Sequence, residues 1–198
     1  MKNLVWICTA LFLFVFSPSY GQLTRNNFSI GQRVGVNFSN VNRPDEAKAL
    51  TGLLAGLTST YSINESSGLT VDLLYSGEGT KIGNEKLHLN YLRIPVLYNV
   101  FFGQLGESFR PKVFVGPQAG FLLSAKSGTV DIKKEMKNFA FGLGAGLGFN
   151  YQLGERMWLN TDVRSFFDLL DIRAHRPDSS DKRAIRNIQI SLGVAWGF

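Results

Sequence analysis

Eight polar residues invite a chemical reading: Arg33, Asp72, Arg93, Lys112, Gln118, Asn160, Asp162 and Arg164. Each lies in a stretch whose alternate positions are Val, Leu, Ile, Phe or Tyr. In a strand, such spacing sends the apolar set to one face and these polar groups to the other. Charges enclosed together must pair or be hydrated, because unpaired burial is expensive. The set therefore reads as an interior network of salt bridges and hydrogen bonds, with a small cationic conduit as the alternative.

Other chemistries find little support. The chain has two histidines, His88 and His175. A hydrolytic triad needs a serine, a histidine and an acid together, and Ser76 and Glu85 are the candidates beside His88. His175 lies among Arg173, Arg176 and Pro177, as in a solvated loop. No two histidines have metal-ligand spacing. Gly142, Gly144 and Gly146 lack the strand–turn–helix setting of a phosphate loop. We expect no catalytic residue, metal or cofactor.

The elements that position the polar set are strands. Phe28–Phe38, Gly52–Ile63, Gly68–Ser76, His88–Val100, Arg110–Ser124, Phe139–Tyr151, Met157–Asp168 and Asn187–Phe198 each alternate. The last is the most telling. Ile188, Ile190, Leu192, Val194, Trp196 and Phe198 share one parity, and Asn187, Gln189, Ser191, Gly193, Ala195 and Gly197 the other. A membrane-barrel strand shows such an apolar face to lipid, with aromatics at the interface. In Phe139–Tyr151 the second parity is largely glycine, which disfavours a helix and suits the inner side of a curved wall. Pro95 and Pro117 predict bulges or bends, and the face taken by Tyr91 stays open.

The links between strands vary in length. Long ones (39–51, 77–87, 125–138, 169–186) alternate with short ones (64–67, 101–109, 152–156). That is the pattern of extracellular loops and periplasmic turns in an up-and-down outer-membrane barrel. The fold class expected is therefore all-β, an eight-stranded antiparallel transmembrane β-barrel. A soluble lipocalin-like barrel would need the apolar face inside, leaving Arg33, Asp72, Asp162 and Arg164 on the outer wall.

Residues 1–21 read as a secretory signal peptide: Lys2, an apolar run from Leu4 to Phe16, then Ser19 and Gly21 before the cut. The barrel domain is then residues 22–198, in the outer membrane of a Gram-negative bacterium. Cys8 would leave with the signal, so disulfide and cysteine–metal chemistry drop out. The formal net charge of the full chain is +6. No Lys/Arg cluster interleaved with aromatics supports nucleic-acid binding. The loops carrying Lys133 and Lys134, and Arg173, Arg176, Lys182 and Arg183, are basic. They suit electrostatic contact with lipopolysaccharide or an envelope protein. Trp196 and Phe198 are the candidate signal for the barrel-assembly machinery.

Two strands carry a family resemblance. Leu89-Asn90-Tyr91-Leu92-Arg93-Ile94-Pro95-Val96-Leu97-Tyr98 resembles the Tyr-Leu-x-Ile-Pro-x-Leu strand of the PorT-like outer-membrane β-barrel family. Gly116-Pro117-Gln118-Ala119-Gly120-Phe121-Leu122-Leu123 is similar to its Gly-Pro-x-x-Gly-x-Leu-Leu strand. Phe139–Tyr151 and Arg164–Ile172 also fit. Many members carry Glu where this chain has Arg93. The resemblance implies the barrel fold and, through the family's name, a part in protein secretion. The reading preferred here is a closed, non-enzymatic outer-membrane barrel serving envelope integrity or surface interaction. A secretion-apparatus subunit is the alternative, and a lipid-modifying enzyme a third.

Overall fold

The computed structural model describes residues 27–41, 47–82, 85–103, 107–172 and 184–198. Eight long strands form the wall: β1 (Phe28–Val41), β2 (Ala47–Ser62), β3 (Ser67–Ile82), β4 (Glu85–Phe101), β5 (Phe109–Ser127), β7 (Phe139–Gln152), β8 (Met157–Asp168) and β9 (Ile185–Gly197). A two-residue strand, β6 (Val130–Asp131), folds back on the end of β5, and a 3₁₀ turn follows at Lys133–Glu135. Every strand pairs antiparallel with its neighbours, and β1 against β9 closes the sheet. Closure satisfies every edge, which an open sheet in hydrocarbon cannot do.

The alternation in the sequence becomes an inside and an outside. On β9, Ile188, Ile190 and Leu192 are exposed while Asn187, Gln189 and Ser191 are buried. Val34, Leu53, Leu57, Val115, Leu143 and Leu147 are likewise each at least half exposed. In water such a surface would drive aggregation; against lipid tails it is matched. Aromatics fringe the band at both ends. Phe28, Tyr61, Tyr98, Phe109 and Tyr151 lie at the end where β1 begins and β9 ends, and Phe38, Tyr75 and Phe139 toward the other.

Several expectations need correction. Residues 77–87 are not a long loop: β3 runs to Ile82 and β4 starts at Glu85. Similarly, β1 and β2 reach Val41 and Ala47, and β5 reaches Ser127. Loop-end hydrogen bonds that extend a hairpin satisfy the backbone better than open coil, and polar side chains do not prevent it. Pro95 produces no bulge. The β3–β4 ladder lapses opposite it with the register unchanged, and the same holds for Pro117 against β4. The register shift of the β4–β5 pair falls instead at Asn90/Tyr91. Tyr91 faces inward and is buried. The signal peptide, the turn at Pro44, and Arg173, His175, Arg176, Lys182 and Arg183 lie outside the described residues.

Candidate functional site

The lumen is the site, and it is filled in layers. Nearest the turn end, a cavity of about 210 Å³ is lined by Arg110, Asn150, Trp158 and Asn160 among others. The next rung inward is ionic. Asp162 Oδ2 accepts from Arg33 Nη1 at 2.5 Å and from Arg164 Nη2 at 2.9 Å, and Lys112 Nζ lies 2.9 Å from Asp162 Oδ1. Asp72 Oδ2 accepts from Arg164 Nη1 at 2.5 Å, and Thr58 donates to Asp72 Oδ1 at 2.6 Å. Ser191 accepts from Arg33 at 3.0 Å. All five charged side chains are essentially out of solvent.

Beside it packs an apolar cluster of Leu97, Phe114 and Phe166, with Phe114 in the same register row as Arg164 across Gly146. The rung's cations lie against one of its rings: Arg164 and Lys112 stand 5.5 and 5.7 Å from the Phe114 centroid. The cluster fits because β7, the strand between β5 and β8, presents glycines there. A Cβ on Gly144 would lie 2.2 Å from the Phe166 ring, and one on Gly146 2.5 Å from Phe114. The glycine parity of β7 is therefore room made for β5 and β8.

A second ionic rung follows. Arg93 donates from Nε and Nη2 to the two Glu78 oxygens at 2.9 and 2.6 Å. It also donates from Nη1 and Nη2 to the two Asp168 oxygens at 3.1 and 2.9 Å. Two bidentate pairs on one guanidinium exploit its planar fork, and the guanidinium lies 4.2 Å over the Tyr91 ring. Ser76 and Asn37 extend the network from Glu78 toward β1. Beyond this rung, Leu89, Tyr91, Leu122, Ala125, Ala140, Ile172 and Ile185 close the loop end, with Ile132 and Met136 packed against them.

The two ionic rungs compensate each other. The first holds Arg33, Lys112 and Arg164 against Asp72 and Asp162; the second holds Arg93 against Glu78 and Asp168. One has a surplus cation, the other a surplus anion, so the pair is neutral.

All eight residues singled out from the sequence face inward. Arg33, Asp72, Lys112, Asp162 and Arg164 meet in the first rung, and Arg93 centres the second. Gln118 is buried with a carbonyl oxygen lacking a partner among the described residues, and Asn160 borders the turn-end cavity. Sequence reasoning missed Glu78 and Asp168. Their signal was present: Asp72, Ser76, Glu78 and Thr80 share a parity, as do Asp162, Arg164 and Asp168. Reading residues 77–87 as loop hid the first.

The triad candidates are not assembled. Ser76 is buried in the lumen, while His88 is exposed on the outer parity of β4. No group of three or more His, Cys, Asp or Glu side chains among the described residues could hold a metal ion. Of the basic loop residues, Lys133 and Lys134 lie in the 3₁₀ turn. Trp196 pairs in register with Ile30 and Met157, and Phe198 is exposed past the end of β9.

Known structures share this architecture. Neisserial surface protein A is similar at a TM-score of 0.59 and 15% identity, with 87% of this chain and 97% of that one covered. The outer membrane protein OprG of Pseudomonas aeruginosa is similar at a TM-score of 0.56 and 17% identity, with 86% and 95% covered. At these identities the likeness speaks for the barrel fold. No curated protein matches the sequence. The family described as "Outer membrane protein beta-barrel domain" matches residues 7–198, nearly the whole chain, and this protein belongs to it.

Proposed function

We propose that this protein is a closed, non-enzymatic barrel whose loop end serves envelope integrity or contact with a surface partner. The observation that carries the reading is the filled lumen. Two mutually neutralising ionic rungs, an apolar cluster packed beside the first and an apolar plug at the loop end occupy the path a solute would take. An eight-stranded barrel has room for side chains and little else. Reconstituted in planar bilayers, the protein is expected to give no steady conductance. Large, long-lived channels would overturn the reading.

Biogenesis belongs to the same reading: Phe198, exposed just past β9, and neighbouring Trp196 act as the signal to the assembly machinery. Deleting Phe198 is expected to lower insertion in cells while leaving refolding into detergent intact. A PorT-like role in secretion rests on the two strand motifs. A deletion strain that still exports its cargo normally would dispose of it.

A further inference from the structure

Three lysines stand side by side on the outer wall at the loop end. In register, Lys48 of β2 opposes Lys81 of β3, and Lys81 opposes Lys86 of β4. Thr80 is buried in the lumen and Leu87 packs against the plug, so their neighbours Lys81 and Lys86 point outward. Directly opposed residues place their Cβ atoms ~5 Å apart, and like charges so placed repel. Lys81 is opposed on both sides. Among the described residues, no carboxylate forms an ion pair with any of the three. Among the described side chains, the rung has no counter-charge of its own.

Its height identifies what supplies one. Lys81 is twelve residues beyond Leu69, which lies on the exposed apolar face at the turn end of β3. At ~3.3 Å per residue and a tilt near 40°, that is ~30 Å along the barrel axis, against an apolar band ~25 Å tall. The lysines therefore clear the hydrocarbon by about 5 Å, the depth of lipid headgroups. Among the described residues the opposite rim differs in sign, since the turn end exposes Glu65, Glu107 and Glu155 beside Arg156.

We propose that Lys48, Lys81 and Lys86 form a binding site for the phosphorylated headgroup of an outer-leaflet lipid, of the phosphoglycolipid class. A phosphate between the β2–β3 and β3–β4 pairs neutralises the repulsion and accepts from several ammonium groups at once. The site rests on the reading of the chain as an outer-membrane barrel with its loop end outward. It names a partner for that end, and it sits on the strands rather than in the lysine-bearing loop at Lys133 and Lys134.

The test uses the full barrel refolded in nonionic detergent, with diphosphoryl lipid A as the titrated probe. The combined Lys48→Ser, Lys81→Ser and Lys86→Ser variant is expected to lose affinity by about fivefold per lysine. The loop variant Lys133→Ser, Lys134→Ser is expected to bind within about twofold of wild type, since its charges lie off the rung. Equal affinity of the strand variant and wild type would overturn the site, as would an equal loss in the loop variant. Competition by inorganic phosphate at matched concentration would mark a free-anion site and overturn the lipid assignment. Should the triple variant not refold, Lys81→Ser alone carries the test, and unchanged affinity there is equally fatal. In lipid-free micelles the strand variant should melt no lower than wild type, because repulsion is relieved. A conducting barrel would refute the closed lumen without touching this result, so the two failures are separable.

Discussion

Arg93 and Asp168 are 75 residues apart in the chain, yet Arg93 Nη2 lies 2.9 Å from Asp168 Oδ2 inside the barrel. Glu78 holds the same guanidinium from the other side, at 2.6 Å. One cation thus ties β3, β4 and β8 together across the lumen.

Removing that arginine strands both acids. Arg93→Met leaves Glu78 and Asp168 buried without their cation, a loss on the order of 3–5 kcal/mol. Urea-induced unfolding in detergent or lipid vesicles should register it. The compensated variant Arg93→Met, Glu78→Gln, Asp168→Asn should regain much of the loss, since all three charges are then gone.

Asp162 faces Arg33, Lys112 and Arg164, whereas Asp72 faces Arg164 closely and Arg33 only at 3.6 Å. Asp162→Asn should therefore destabilise more than Asp72→Asn, with the larger effect again on the order of 3–5 kcal/mol. A double-mutant cycle with Lys112→Met measures the pairing directly. Coupling near zero would show that the lysine is held by something other than Asp162.

Gly144 tests the apolar cluster. Gly144→Ala drives a methyl group into the Phe166 ring, an overpacking cost of about 1–3 kcal/mol. Phe166→Leu in the same chain should restore most of the stability by giving the methyl space. Heat-modifiability on gels and unfolding midpoints report both.

Single cysteines map the two sides of the wall. Leu143→Cys, Leu147→Cys and Leu192→Cys, in vesicles, should react with a membrane-soluble maleimide and resist a charged one. Free reaction of all three with the charged reagent would contradict the lipid-facing assignment. Ser191→Cys, buried beside Arg33, should resist the membrane-soluble reagent.

Much of this was legible in the residue order, because strand alternation has a period of two and needs no tertiary information. Ile188 to Phe198 declared a lipid face, and Arg33, Asp72, Asp162 and Arg164 declared a lumen. Strand ends were less legible. Polar residues such as Gly77, Glu78 and Thr80 read as loop, yet inside a barrel polarity is what the inner face requires, and β3 continues through them.

Partnership is what only the closed wall decided. Alternation assigns each side chain a face but not a height or a neighbour. Those follow from register and stagger, which bring Arg93 to Glu78 and Asp168, and Asp162 to three cations. The same register sets Lys48, Lys81 and Lys86 in one row. Sequence determined which solvent each residue meets, a property local to its strand. The fold determined which charge each residue meets, a property of strands brought together from across the chain.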